Sequence, residues 1–199
     1  MKTLIVYAHL LAACVAVGLL LIQDLALAKT RGKVLSALAK KELTKAADIM
    51  FIALIALWIT GLALVLQGYM ENPQQYLMNE KLWAKFTVVA VLTLNGVALH
   101  YYSFPHVTCA RGFISVPRHE QILVALTGAI SSTSWLFACY LGIARPWNYT
   151  ADYSYIMFIY IGLLTCAFIV AGETLRSWRR GELPTLTEQA QLNSSQKYE

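Results

Sequence analysis

Five apolar stretches of about 20 residues or more dominate this chain: Thr3 to Ala28, Ala47 to Met70, Leu82 to Tyr102, Gln121 to Ile143 and Tyr153 to Leu175. As a helix rising 1.5 Å per residue, each is long enough to cross a hydrocarbon layer of roughly 30 Å. In lipid every backbone N–H and C=O must be satisfied within the protein, which leaves helices or a closed barrel. The stretches are apolar all round and lack the period-2 alternation of barrel strands. The expectation is therefore an all-α integral membrane bundle of five transmembrane helices. Composition agrees, with 58% of the 199 residues apolar and 14% charged. A soluble domain runs nearer half and a quarter, so a water-facing globule and a disordered chain are both excluded. The spans fill residues 1–180 as a single domain and leave 181–199 as a polar tail expected to fray in water from Pro184 onward. Lys2 ahead of an apolar run, with Ala26-Leu27-Ala28 behind it, has the outline of a signal peptide. The run is too long and too basic at its far end for one, and retention is expected.

The net charge of +5 is sorted by connection. Lys29, Arg31, Lys33, Lys40, Lys41 and Lys45 lie between the first two spans, Arg111 and Arg118 between the third and fourth, and Arg176, Arg179, Arg180 and Lys197 after the fifth. The N-terminus and the other two connections share only Lys2, Lys81 and Arg145. The positive-inside rule then puts the N-terminus outside and the C-terminus in the cytoplasm. The basic excess reads as topology and attraction to anionic lipid, with no nucleic acid implied. Tyr69, Tyr76, Trp83, Trp147, Tyr149, Tyr153 and Tyr155 fall at the outer interface and Tyr101, Tyr102 and Trp178 at the inner one, as aromatic belts do. Cys14, Cys109, Cys139 and Cys166 form no CxxC pair and read as small packing residues. There is no glycine-rich nucleotide loop, no Ser/His/Asp arrangement and no internal repeat of the transporter kind.

Polar residues within spans are costly and hence informative. They fall into two layers. Spans one and three run in the same direction, and each carries two polar residues at the same interval: His9 then Asp24, and Lys85 then His100. That interval is about 22 Å of helix. The outer layer holds His9 and Lys85, which Trp58, Thr60, Gln67, Trp135, Tyr140, Met157 and Tyr160 can approach from other helices. A histidine beside a lysine suits an anionic ligand such as a propionate. The alternative is that Lys85 snorkels to the interface while His9 bonds a neighbouring helix. The inner layer holds Asp24, Asp48, His100 and Glu173, with His119 and Glu120 at the start of the fourth span. Carboxylates and imidazoles converging from separate helices are how bundles bind divalent iron, manganese, zinc or copper. Ion pairs with Lys45, Arg118 or Arg176 would satisfy the same acids without metal. His100 and His119 could sit level as two haem ligands. His9 has no histidine at its level, so haem there would take Met, Lys, Tyr or an open position on its other side.

His9, the Thr60-Gly61 step, and the string Leu82-Trp83-Ala84-Lys85 running through Leu92-Thr93 to Leu99-His100 resemble the HemJ-type membrane protoporphyrinogen oxidases and the related CopD copper-resistance membrane proteins. Bacterial membrane proteins of unknown function are more similar still, sharing Ala47-Asp48, Thr60-Gly61, Tyr76-Leu77, Asn79 and Lys85. The resemblance covers roughly the first hundred residues. It implies that His9 is an axial ligand of haem b and that Lys85 partners a porphyrin propionate or an electron acceptor such as a quinone. The chain departs from those enzymes in its fifth span, in the loop from Glu71 to Lys81, and in having Asp24 where they carry an arginine. The expectation is a multi-pass protein of the bacterial inner (plasma) membrane that binds haem b or acts with a quinone. A metal-ion binding or transport role for the inner cluster stands as the alternative. So does a non-catalytic subunit, docked on a membrane partner or a second copy through the loops around Pro73 and Trp147.

Overall fold

The computed structural model describes residues 2–30, 34–108 and 116–195, and the side chains of these except at 75 and 181–195. Cys109 and the basic residues Arg31, Lys33, Arg111 and Lys197 lie outside the described residues. The elements are α1 (Lys2–Thr30), α2 (Ala37–Glu71), α3 (Pro73–Leu77), α4 (Glu80–Ala98), a π-helical turn (Leu99–Ser103), α5 (Phe104–Val107), α6 (Arg118–Ile143), a 3-10 turn (Arg145–Trp147) and α7 (Tyr153–Ser195), with no strand among the described residues. Five helical segments are long and apolar enough to cross a membrane: Lys2–Thr30, Ala37–Glu71, Glu80–Val107, Arg118–Ile143 and Tyr153–Arg180. Their outer surface is that of a lipid-facing bundle, with Leu10, Ile22, Ile52, Ile59, Phe158, Ile169 and Val170 all exposed.

Helix and apolar stretch do not end together. Ser36 caps α2, its Oγ accepting from Ala39 N at 3.1 Å, so α2 begins ten residues before the apolar run at Ala47 and carries Lys40, Lys41 and Lys45 on its first turns. Likewise α7 continues to Ser195, where composition alone suggests an unstructured tail. The third span ends in the π turn for a local reason. Pro105 has no N–H to offer and its ring excludes an ordinary α turn behind it, and the chain answers by widening, with Phe104 N bonding Leu99 O.

The helices pack as a pair and a trio. One group is α1 along α2; the other is α4, α6 and α7, with α6 central; a smaller α1–α6 contact joins them. Ala16, Leu20, Ala53, Leu54, Leu92 and Trp135 form the core between the two groups. Ala84, Val88, Phe137, Leu141, Ile156 and Tyr160 form the core of the trio. The backbones of α2 and α4 stay apart and meet through Trp58, whose Nε1 donates to Thr93 Oγ1 at 3.1 Å and whose ring lies 6.5 Å from that of Phe86.

Candidate functional site

Beyond the core between the pair and the trio, a polar layer lies toward the end of the bundle that carries Lys2. From Ala16, Ala53 and Leu92 of the inter-group core, two helical turns in that direction lead to His9 on α1, Thr60 on α2 and Lys85 on α4. The apolar core is thus continued, on the same helix faces, by a polar layer. His9 Nδ1 lies 2.8 Å from Thr60 Oγ1. The Thr60 hydroxyl has one proton and gives it to Ala56 O of its own helix at 2.6 Å, the back-bond that threonines make inside apolar helices. Thr60 therefore accepts from His9, which puts the ring proton on Nδ1 and, in the uncharged imidazole, leaves the lone pair on Nε2. The small residue Gly61 leaves room for the ring: a Cβ there would stand in ordinary contact, 3.5 Å from His9 Cε1, and a longer side chain would meet the ring. Nε2 has no hydrogen-bond partner among the described residues.

Lys85 is partly buried and within electrostatic reach of His9. Among the described residues it makes neither a hydrogen bond nor an ion pair. The layer therefore presents two open valences of different kinds, a nitrogen lone pair and an ammonium, and it also includes Gln67, two turns beyond Thr60 on α2, whose Oε1 is buried without a partner.

Lys81, one turn ahead of Lys85, reads from sequence as a loop charge. In the structure it is 3% exposed and its Nζ donates to Ala144 O at 2.5 Å and to Asn148 Oδ1 at 3.0 Å. Ala144 is the C-cap of α6, so the ammonium satisfies an orphan carbonyl at the negative end of a helix dipole. Glu80 accepts from the backbone N of Tyr153 at the start of α7, and Thr87 meets Tyr153 Oη at 3.1 Å. The start of α4 is thereby stapled to both neighbours, which fixes where Lys85 stands. Lys2 and Glu71 close the α1–α2 pair at 2.7 Å. Tyr76 of α3 lies over Gly68; burial, then the nearby Tyr149 phenol, pushes its hydroxyl above the usual phenol range.

The second layer does not assemble. Asp24 accepts from Ser132 Oγ of α6 at 2.6 Å, and Glu173 pairs with Arg176 on its own helix at 2.5 Å. Asp48 is exposed. His100 is exposed on the π turn, its ring 5.3 Å from that of Tyr101 and 6.4 Å from that of Phe104. His119 is 76% exposed, 3.7 Å from Glu120. Among the described residues no group of three or more His, Cys, Asp or Glu is placed to hold a metal ion: Asp24 is turned to a hydroxyl, Glu173 to a guanidinium and Asp48 to open space. A contact that sequence reasoning missed joins His106 of α5 to Glu120 of α6 at 3.1 Å, with His106 Nδ1 2.6 Å from Tyr102 O. The displacement of the chain by the π turn is what brings His106 there, and its signal in the sequence is Pro105. A groove of about 470 Å³ between α6 and α7, lined by Leu136, Phe137, Tyr140, Trp147, Ile159 and Leu163 among others, lies apart from both layers. No protein-family model, curated protein or solved structure matches this chain.

Proposed function

We propose that this chain is a multi-pass inner-membrane redox protein that binds haem b between the α1–α2 pair and α4, in the outer half of the bilayer, with its N-terminus outside. The observation that carries this reading is the contact of His9 Nδ1 with Thr60 Oγ1, whose own proton goes to Ala56 O, and from it the tautomer of His9 is inferred. A ring whose Nδ1–H is held by a fixed acceptor, with Nε2 free, is the form in which a histidine ligates iron. The donor set fits the group: His9 Nε2 for the metal, the unpaired Lys85 ammonium for a propionate, and the rings of Trp58 and Phe86 for the macrocycle. Bound haem supplies one-electron transfer. The residues of the chain do the rest. Thr60 orients the imidazole, Gly61 lets it lie against α2, Lys85 neutralises an acid that would otherwise be costly at this depth, and the Lys81 staple holds Lys85 in place. A quinone fits less well, because Lys85 could donate to one of its carbonyl oxygens while His9 Nε2, in this tautomer an acceptor, could not donate to the other.

The test is a visible spectrum of the protein purified from haem-replete membranes, beside His9→Ala. A Soret band present in the wild type and lost in the variant is expected. No band, or a band that persists without His9, overturns the reading.

A further inference from the structure

Gln67 is half-buried, its Oε1 is sequestered without a partner, and no hydrogen bond of the described residues involves either end of its amide. A sequestered acceptor without a donor carries an uncompensated desolvation cost, and an apolar residue of similar size would avoid that cost, so its presence calls for a partner from outside the chain. Its position relative to Lys85 follows from the register of two antiparallel helices. Trp58 on α2 spans Phe86 and Thr93 on α4, which sets Gln67, farther toward the Lys2 end, level with the start of α4 at Lys81. The ammoniums of Lys81 and Lys85 are within electrostatic reach of each other, and Lys81 has already committed to Ala144 and Asn148. Gln67, two turns beyond Thr60 on the same face of α2, therefore stands toward the same end of the bundle as the free cation of Lys85.

It is the oxygen that lacks a partner, so the ligand must bring a hydrogen-bond donor there as well as an anion for Lys85. A carboxylate could bond only the amide N–H and would leave Oε1 unmet. A neutral carboxylic acid satisfies both ends at once, its O–H donating to Oε1 and its carbonyl accepting from the amide N–H. We infer that Gln67 is the second head-group residue of this site and that the ligand carries two carboxyl groups in different protonation states, one ionised against Lys85 and one neutral against Gln67. The inference rests on the haem reading, since haem bears two propionates, and it separates from that reading experimentally.

The detergent-solubilised full chain, wild type, His9→Ala, Gln67→Leu and Lys85→Met, is titrated with haemin, with metal-free protoporphyrin IX and with the dimethyl ester of each, and the thermal midpoint of each variant is read without ligand. The wild type is expected to bind each diacid about 100-fold more tightly than its ester, and Gln67→Leu and Lys85→Met each to remove about tenfold of that for the diacid while leaving the ester unchanged. The ligand-free midpoint of Gln67→Leu is expected to hold or rise, because an orphan acceptor has gone. Diacid binding unchanged in Gln67→Leu, or a fall in midpoint with diacid and ester weakened alike, overturns the inference. If the metal-free diacid binds through Gln67 and Lys85 while haemin gives no band dependent on His9, the haem reading fails and the two-carboxyl site stands. If a His9-dependent band forms and Gln67→Leu changes nothing, the reverse holds. No binding of any of the four porphyrins overturns both.

Discussion

At the scale of single residues, the site is governed by where one proton sits. Thr60 accepts from His9 only because its own proton is committed to Ala56, so the hydroxyl acts as a fixed acceptor that sets the tautomer. Thr60→Val keeps the shape and removes the acceptor. The expected result is a loss of haemin affinity of about 10- to 100-fold, the usual range for the partner of a ligating histidine, with Thr60→Ser restoring most of it in the same spectroscopic titration. Lys81 makes a different kind of prediction. Lys81→Met leaves Ala144 O and Asn148 Oδ1 without their donor, and thermal unfolding in detergent should show a loss of about 1–3 kcal/mol, whereas Lys85→Met, which breaks no bond among the described residues, should leave the ligand-free midpoint near wild type.

At the scale of elements, close approach to α2 depends on a small residue at 61 and on glycine itself at 68. A methyl group at Gly61 makes ordinary contact with His9, so Gly61→Ala should bind haemin like wild type, while Gly61→Leu forces the ring off α2 and should abolish the band at a stability cost of about 1–3 kcal/mol. At Gly68 even a methyl group collides with the ring of Tyr76. Gly68→Ala should therefore expel α3 from α2, which limited proteolysis around Pro73 would detect as faster cleavage. These elements also show what sequence can and cannot reveal. Hydropathy marks where lipid begins, and the five spans were legible because lipid demands long apolar runs; it does not mark where a helix begins, and so Ser36 and the basic first turns of α2 fell outside the expected span. Counting residues from the ends of spans gives depth, which set His9 level with Lys85 and Asp24 level with Glu173. Depth says nothing of direction around the helix. Asp24 faces Ser132 and Glu173 faces Arg176, and only the fold decides that. Lys81 was illegible for another reason: its partner carbonyl lies 63 residues later, and beside Glu80 it looks like any charge at a span edge.

At the scale of the whole molecule, the asymmetry of charge carries the orientation proposed above. Lys40, Lys41 and Lys45 on α2 and Arg176, Arg179 and Arg180 on α7 stand at the end opposite Lys2. A cytoplasm-dependent fluorescent reporter fused after Glu199 should therefore be bright, and one fused before Met1 dark; the opposite pattern would invert the bundle and place the His9 layer in the inner leaflet. The division into a pair and a trio has a further consequence for how such a protein is made. The two halves touch mainly through α1 on α6 and through Trp58, so the translocon can release α1 and α2 as a finished hairpin before α4 exists. The site comes into being only when that hairpin finds the trio, and a ligand that touches both halves shifts the docking equilibrium by its own binding energy. Under the haem reading proposed above, cofactor supply would set how much of the protein reaches its assembled form and how much is left for membrane proteases to clear.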